Sequence, residues 1–268
     1  MAKSKKMVIL SDLHCGHLAG LTPPRWQVQA PEGEGRTKRE KFAVSQKEAW
    51  NWYLKTITRN GPYDVVVVNG DAIDGRSERS GGLELITSDR EEQVAMATVA
   101  VQKAMNGRKT KVVLTYGTPY HVGDQEDWEN MLADNLYAEK IGAHEWIDMG
   151  GVIFDFKHNI GGSSVPHGRA TAVSRETLWA KLWADCGKIP NVDVLVRSHV
   201  HYRMYVEDSM GVRLITPALQ TQGSKYGARR CSGTVDFGIT FAEVSDGEYS
   251  IWFELADLES EKSSAIVV

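Results

Sequence analysis

Three short apolar runs punctuate the first half of the chain. Residues 8–11, Val65–Asn69 (VVVVN) and Lys111–Thr115 (KVVLT) are each followed by polar residues and glycine, the pattern of strands buried on both faces. Helix signals lie between them. Ser45-Gln46-Lys47-Glu48 and Ser88-Asp89-Arg90-Glu91 have the capping-box form, in which serine and glutamate side chains satisfy free amide N–H groups. The first helix should end at Asn60-Gly61-Pro62. The second carries Val94, Ala97, Val101 and Met105 at helical spacing and should stop at Gly107. Strands alternating with helices predict parallel pairing through right-handed crossovers, with ligands beyond the carboxyl ends of the strands.

The second half changes character. Residues 152–157, 193–197, 202–207 and 213–216 read as short strands separated mainly by turns, with one helix at 175–185. Asp208-Ser209-Met210-Gly211 and Ser245-Asp246-Gly247 are turn sequences between alternating runs, so hairpins are expected. The whole predicts an α/β fold of two packed sheets with helices outside, in a single domain over residues 1–258. The Pro-, Gly- and charge-rich stretch 20–40 reads as an inserted surface loop, and 259–268 as a mobile tail.

Composition changes this picture little. The chain is 268 residues long, 42% hydrophobic and 25% charged, ordinary globular values. Its net charge of −4 gives no whole-protein attraction to polyanions, so contact with nucleic acid must come from a local basic surface. The apolar run near the start is too short for a secretory signal, and no stretch approaches a membrane span. Cys15, Cys186 and Cys231 are too scattered for a disulfide framework. A cytoplasmic protein with reduced thiols and no membrane contact is expected.

The chemistry collects at the strand ends. The first strand runs into Ser11-Asp12-Leu13-His14, and alternation lets Asp12 and His14 face one cleft and share a metal. The second ends in Asn69-Gly70-Asp71, whose carboxylate can offer one oxygen to each of two cations. The third leads to Gly117-Thr118-Pro119-Tyr120-His121, and later strands supply His158 and Ser198-His199-Val200-His201. Each piece alone is commonplace, since a lone histidine is usually structural. Their order, each just after a β-type run, is not.

In these residues the chain resembles the calcineurin-like metallophosphoesterases, whose ordered motifs are D-x-H, G-D-x-x-D, G-N-H, a later lone His, and G-H-x-H. They correspond here to Asp12-Leu13-His14, Gly70-Asp71-Ala72-Ile73-Asp74, a variant third motif, His158, and Ser198-His199-Val200-His201, spread over residues 7–244. The resemblance implies a four-layer α-β-β-α sandwich with a dinuclear site. Asp12, His14 and His201 would hold one metal, His158 and His199 the other, with Asp71 bridging. Two divalent ions are implied, manganese first on family grounds, with Fe, Zn or Ni also suited to oxygen and nitrogen ligands. Such a pair can activate water, orient a phosphate and stabilise an in-line displacement.

The third motif departs from the pattern. Thr118 stands where the family has its asparagine ligand, and His121 lies two residues late. His121 is assigned the general-acid or phosphate-binding role and Thr118 that of a weak hydroxyl ligand. Cys15 reads as a packing residue, and His144 as structural.

For the substrate, the glycine-rich basic loop 223–230 with Arg229, the segment Pro166-His167-Gly168-Arg169, and Arg76 and Arg79 after the second motif are candidate phosphate contacts, with His17 as a further rim residue. A solvated surface charge is the plain alternative for each. The sequence therefore points to a metal-dependent phosphodiesterase acting on DNA, RNA or a nucleotide. The competing readings are a phosphomonoesterase or protein phosphatase, and a protein-binding scaffold that keeps the fold without the chemistry, which the altered third motif favours and the retention of every other metal-motif position weighs against.

Overall fold

The computed structural model describes residues 4–29, 41–78, 81–105, 107–122, 128–223, 234–261 and 265. The elements run β1 (Lys5–Leu10), α1 (Lys41–Asn60), β2 (Val65–Asn69), α2 (Arg90–Ala104), β3 (Lys111–Thr115), α3 (Pro119–Val122), α4 (Trp128–Leu136), β4 (Lys140–Gly142), β5 (Glu145–Met149), β6 (Val152–Phe156), α5 (Arg169–Asp185), β7 (Val194–Arg197), β8 (Met204–Asp208), β9 (Gly211–Ile215), β10 (Gly238–Ser245) and β11 (Glu248–Leu255).

Two sheets result. The first has the order β11-β10-β1-β2-β3-β4, with β1 to β4 parallel and the β10–β11 hairpin antiparallel at one edge. The second has the order β5-β6-β7-β9-β8, with parallel β6, β7 and β9 flanked by antiparallel edge strands. Side-chain alternation along β1 shows how they stack. Val8 and Leu10 face a core shared with Tyr53 of α1, Met96 of α2 and Leu132 of α4, while Met7 and Ile9 face Phe154, Phe156, Val196 and Leu214 of the second sheet. A third cluster, Leu195, Ile215 and Val173, seats α5 on the far side. The fold is thus a four-layer α-β-β-α sandwich of two mixed sheets.

Several local expectations need correction. Ser45 lies inside α1, and its hydroxyl donates to the Phe42 carbonyl rather than capping the helix. The cap of α2 is Asp89, one residue past the serine, whose carboxylate accepts from the Glu91 and Glu92 amides. Helix α5 starts six residues earlier than expected, at Arg169. The stretch from 20 is not all surface: Leu21 and Thr22 are fully buried and the Leu21 amide bonds to the Leu13 carbonyl, while 30–40 lie outside the described residues. Leu258 is buried, and Glu259–Glu261 form a helical turn whose Ser260 amide reaches Glu48, so the tail begins as ordered structure. Among the described residues no helix is long and apolar enough to cross a membrane.

Candidate metal centre

The turns beyond β1 and β2 run side by side. The Asp12, His14 and Cys15 amides donate to the carbonyls of Gly70, Asp71 and Ala72. This pairing sends Leu13 and Ala72 into the core, and Asp12, His14 and Asp71 to the opposite side. Asp12, His14, Asp71, His199 and His201 all have positive φ, between 45° and 76°. Left-handed backbone costs a non-glycine residue of order 1–3 kcal/mol, so the surrounding contacts must hold five such residues in place. Gly70 and Gly117 make the approach possible, because a Cβ on the first would overlap the His158 ring and on the second the Asp71 carboxylate.

The ligand atoms converge in two trios. Those of Asp12, His14 and His201 lie within 4.8 Å of one another, as do those of Asp71, His158 and His199. A third grouping, His14, Asp71 and His121, overlaps both. Nε2 of His201 is 3.3 Å from both Asp12 Oδ1 and His14 Nε2, and His158 Nε2 is 3.0 Å from Asp71 Oδ2. Among the described residues Asp12 Oδ1, His158 Nε2 and His199 Nδ1 are buried and meet the opposing groups only as ion-pair contacts without hydrogen-bond geometry. Buried polar atoms without a well-formed hydrogen bond are costly, and nitrogen and carboxylate oxygen at these separations suit transition-metal cations. The residues fit a pair of metal ions.

A supporting layer fixes the ring faces. His158 Nδ1 bonds the Asn69 carbonyl at 2.7 Å, leaving Nε2 for the cluster. Asp74 Oδ1 lies 3.0 Å from His14 Nδ1 and 3.5 Å from His121 Nδ1, and the Asp74 carbonyl is 3.1 Å from the same His121 nitrogen. Outer partners of this kind set the tautomer and orientation of ligating imidazoles. Val200, between His199 and His201, packs toward the α5 side of the second sheet.

Electrostatics follow from burial and the crowded charges. Burial pushes Asp71 up, but the charge of His158 and the close approach of the His158 and His199 rings outweigh it and hold the carboxyl well below its ordinary range. Asp12 is lowered in the same way, chiefly by His201. Burial lowers His158, yet Asp71 raises it to about 10, and Asp74 and Asp71 likewise lift His121 to about 9. His14 falls to about 4, because burial and neighbouring His121 disfavour a second charge. The metal-free cluster therefore balances its carboxylates with protons that bound cations would displace.

The displaced third motif has a simple geometry. Pro119 opens the one-turn helix α3, and the His121 amide closes on the Thr118 carbonyl at 2.9 Å. This turn carries His121 back to the cluster, with Nε2 4.0 Å from Asp71 Oδ2. Thr118 reaches the site as a donor to Asp71: its amide is 2.6 Å from Oδ1 and its hydroxyl 2.8 Å from both oxygens. The Thr118 hydroxyl, expected as a metal ligand, is thus directed at the Asp71 carboxylate.

The other expected residues separate. His17 is buried, its Nδ1 accepts from the Ala19 amide and its Nε2 lies 3.8 Å from Glu84, so it is a structural residue and not part of a rim open to substrate. Arg76 is exposed beside a cavity of about 600 Å³ that follows the second motif. His167 is exposed on a helical turn, and Arg169 stacks over the Tyr202 ring at 4.2 Å. Arg79, Arg229 and the basic loop from 224 lie outside the described residues. His144 pairs with Asp155 at 2.9 Å, and the Cys15 thiol, pushed up by burial, bonds the Leu21 carbonyl.

Two buried side chains were missed by the sequence reading. Glu129 of α4 accepts from the Ala72 amide at 3.2 Å and the Gly117 amide at 2.7 Å, tying together the turns that bear Asp71 and Thr118. Gln93 of α2 exchanges two 2.8 Å bonds with Gly75, whose Cα lies against the His121 carbonyl. Both sit on helices that carry no motif residue. A buried hydroxyl chain was also unforeseen. Thr115 bonds Asn69, Asn69 bonds Ser198, and Ser198 and Ser11 both meet Thr216, linking strand ends of both sheets. Polar residues recurring at the ends of apolar strands were the available signal.

No family model and no curated protein matches the chain. Solved structures do, over nearly its whole length. Matches include an archaeal phosphodiesterase (13% identity, 93% of this chain and 99% of that one, TM-score 0.47), the phosphoesterase YfcE from E. coli (12%, 95% and 100%, 0.44) and zinc-complexed Vps29 from Entamoeba histolytica (13%, 95% and 99%, 0.43). Likenesses this distant carry no argument about activity, which rests on the side-chain geometry above.

Proposed function

We propose that this chain is a dinuclear-metal phosphoesterase that hydrolyses phosphodiester bonds of nucleic acid or nucleotides, in a cytoplasmic setting and with manganese as the first metal to try. The observation that carries the reading is the pair of ligand trios, Asp12, His14 and His201 beside Asp71, His158 and His199, linked by the overlapping group of His14, Asp71 and His121.

Asp12, His14 and His201 would hold one cation and His158 and His199 the other, with Asp71 shared between them. When bound, such a pair activates a water and neutralises charge on the phosphate oxygens. Thr118 fixes the orientation of Asp71 through two donors. Asp74 holds Nδ1 of both His14 and His121, so His121 presents Nε2 at the edge of the cluster and can deliver a proton from that atom to the departing oxygen. Arg76 and His167, both exposed, are the described candidates for contact with the rest of a polyanionic substrate.

The test is turnover after removal and controlled return of Mn²⁺, with bis(p-nitrophenyl) phosphate, p-nitrophenyl phosphate, and single-stranded DNA and RNA compared. Faster cleavage of the diester, lost on chelation, supports the reading. Preference for the monoester assigns a phosphomonoesterase instead, and full metal content without any hydrolysis assigns a scaffold.

A further inference from the structure

Helix α5 is apolar on two sides, and only one meets the protein's interior. Val173 and Thr177 are buried, with Ala172 and Ala180 packed beside them against Ile160, Leu195 and Ile215. On the opposite side Leu178, Trp179, Leu182 and Trp183 are 53%, 55%, 46% and 53% exposed. Their spacing of one, three and one residues makes a continuous strip over two turns. From the sizes of these side chains the strip exposes on the order of 400 Å², comparable with the largest apolar patch of a typical monomer. Tryptophan is the residue type most enriched in the energetic centres of protein interfaces.

The charges flanking the strip indicate what covers it. Arg175 precedes it by one turn and Asp185 follows it, both exposed and neither in an ion pair among the described residues. Opposite signs at opposite ends are self-complementary only in the antiparallel sense. A second copy related by a two-fold axis at the middle of the strip would set Leu178 against Trp183, Trp179 against Leu182, and Arg175 beside Asp185, each twice, as an isologous contact requires. The two strips would remove about 800 Å² from water, and the flanking residues bring the total to the low end of specific interfaces, about 1,200 Å². We infer that the outer face of α5 is a homodimer interface, formed by antiparallel pairing of Leu178, Trp179, Leu182 and Trp183 with the same residues of a second copy of this chain.

The experiment is sedimentation velocity on the full chain across about 1 to 100 µM, a range suited to a reversible interface of this size. Wild type is expected to shift from monomer to dimer as concentration rises. Trp179→Glu combined with Leu182→Glu should remain monomeric with an unchanged melting temperature, since these side chains are exposed. Arg175→Glu and Asp185→Arg should each weaken the dimer by about tenfold, and the two together should restore it. A wild-type chain that stays monomeric overturns the inference, as does a dimer that survives the double glutamate variant. Failure of the charge swap to restore association overturns the antiparallel pairing. A monomer that cosediments with phosphatidylserine vesicles through the same strip would assign this face to a membrane surface instead.

Discussion

Asp74 Oδ1 lies 3.0 Å from Nδ1 of His14, a contact between two buried side chains that turns the other imidazole nitrogen toward Asp12 and His201. The same carboxylate stands 3.5 Å from His121. Asp74→Asn preserves volume but loses the charge that holds both rings. Loss of an outer-shell partner typically costs 10- to 100-fold in metal affinity, so calorimetric titration of the metal-free variant with Mn²⁺ should show a drop of about that size. Unchanged affinity would remove Asp74 from the supporting layer.

Metal stoichiometry separates the two trios. His201→Ala should lose about one ion per chain, as should His199→Ala, because each removes a ligand from a different group under the two-ion scheme. Asp71→Asn should lower both occupancies and abolish turnover while circular dichroism stays native. Elemental analysis of the three variants is the check, and full occupancy in Asp71→Asn would sink the bridging assignment.

The role of His121 is read from the leaving group. His121→Ala should keep both metals yet lose roughly 10² to 10⁴ in rate on an alkoxide leaving group, and much less on a nitrophenolate that needs no proton. Equal losses on the two substrates with metals retained would exclude a general acid. Lowered metal content would instead make this residue a ligand.

Glu129 predicts a pH effect on stability. Burial, aided by the charge of Asp71, raises its carboxyl from 4.5 to about 7 against the opposing bonds from Gly117 and Ala72. Between those values the folded chain keeps a proton that the unfolded chain has released, so the stability contributed by this group falls as pH rises from about 4.5 and is lost above about 7. The shift corresponds to on the order of 3 kcal/mol. Denaturant unfolding of the metal-free protein should therefore decline more steeply over this window than that of Glu129→Gln. Parallel pH profiles would refute it.

The parts of the fold legible in sequence were those with strong local signals. VVVVN and KVVLT became β2 and β3 at the expected residues, because a continuous β-branched run bounded by turn residues has few alternatives. The two hairpin turns also appear, at 208–211 and 245–247. Residues 140–149, which form β4 and β5, gave no such signal: their strands are short and mix Trp, Asp and Lys, and only pairing with β3 and β6 makes them extended. The candidate ligand residues were legible because each lies just past the end of a strand. Glu129 and Gln93 were not, since a polar residue on a helix reads as a solvated position until its burial is known. His17 erred the other way, a histidine beside a motif whose ring is consumed by Ala19 and Glu84.

The left-handed backbone at residues 12, 14, 71, 199 and 201 also limits what else these positions can become. Asparagine and glycine tolerate that conformation, whereas valine, isoleucine and threonine are outliers in it. A saturation library scored for folding alone, in metal-free medium, should thus be enriched in asparagine and glycine at these five sites and depleted of β-branched residues. Selection for a folded chain would then keep the turns in shape even where selection for chemistry has been relaxed, so that a descendant without activity could regain a ligand set by single side-chain replacements on an unchanged backbone.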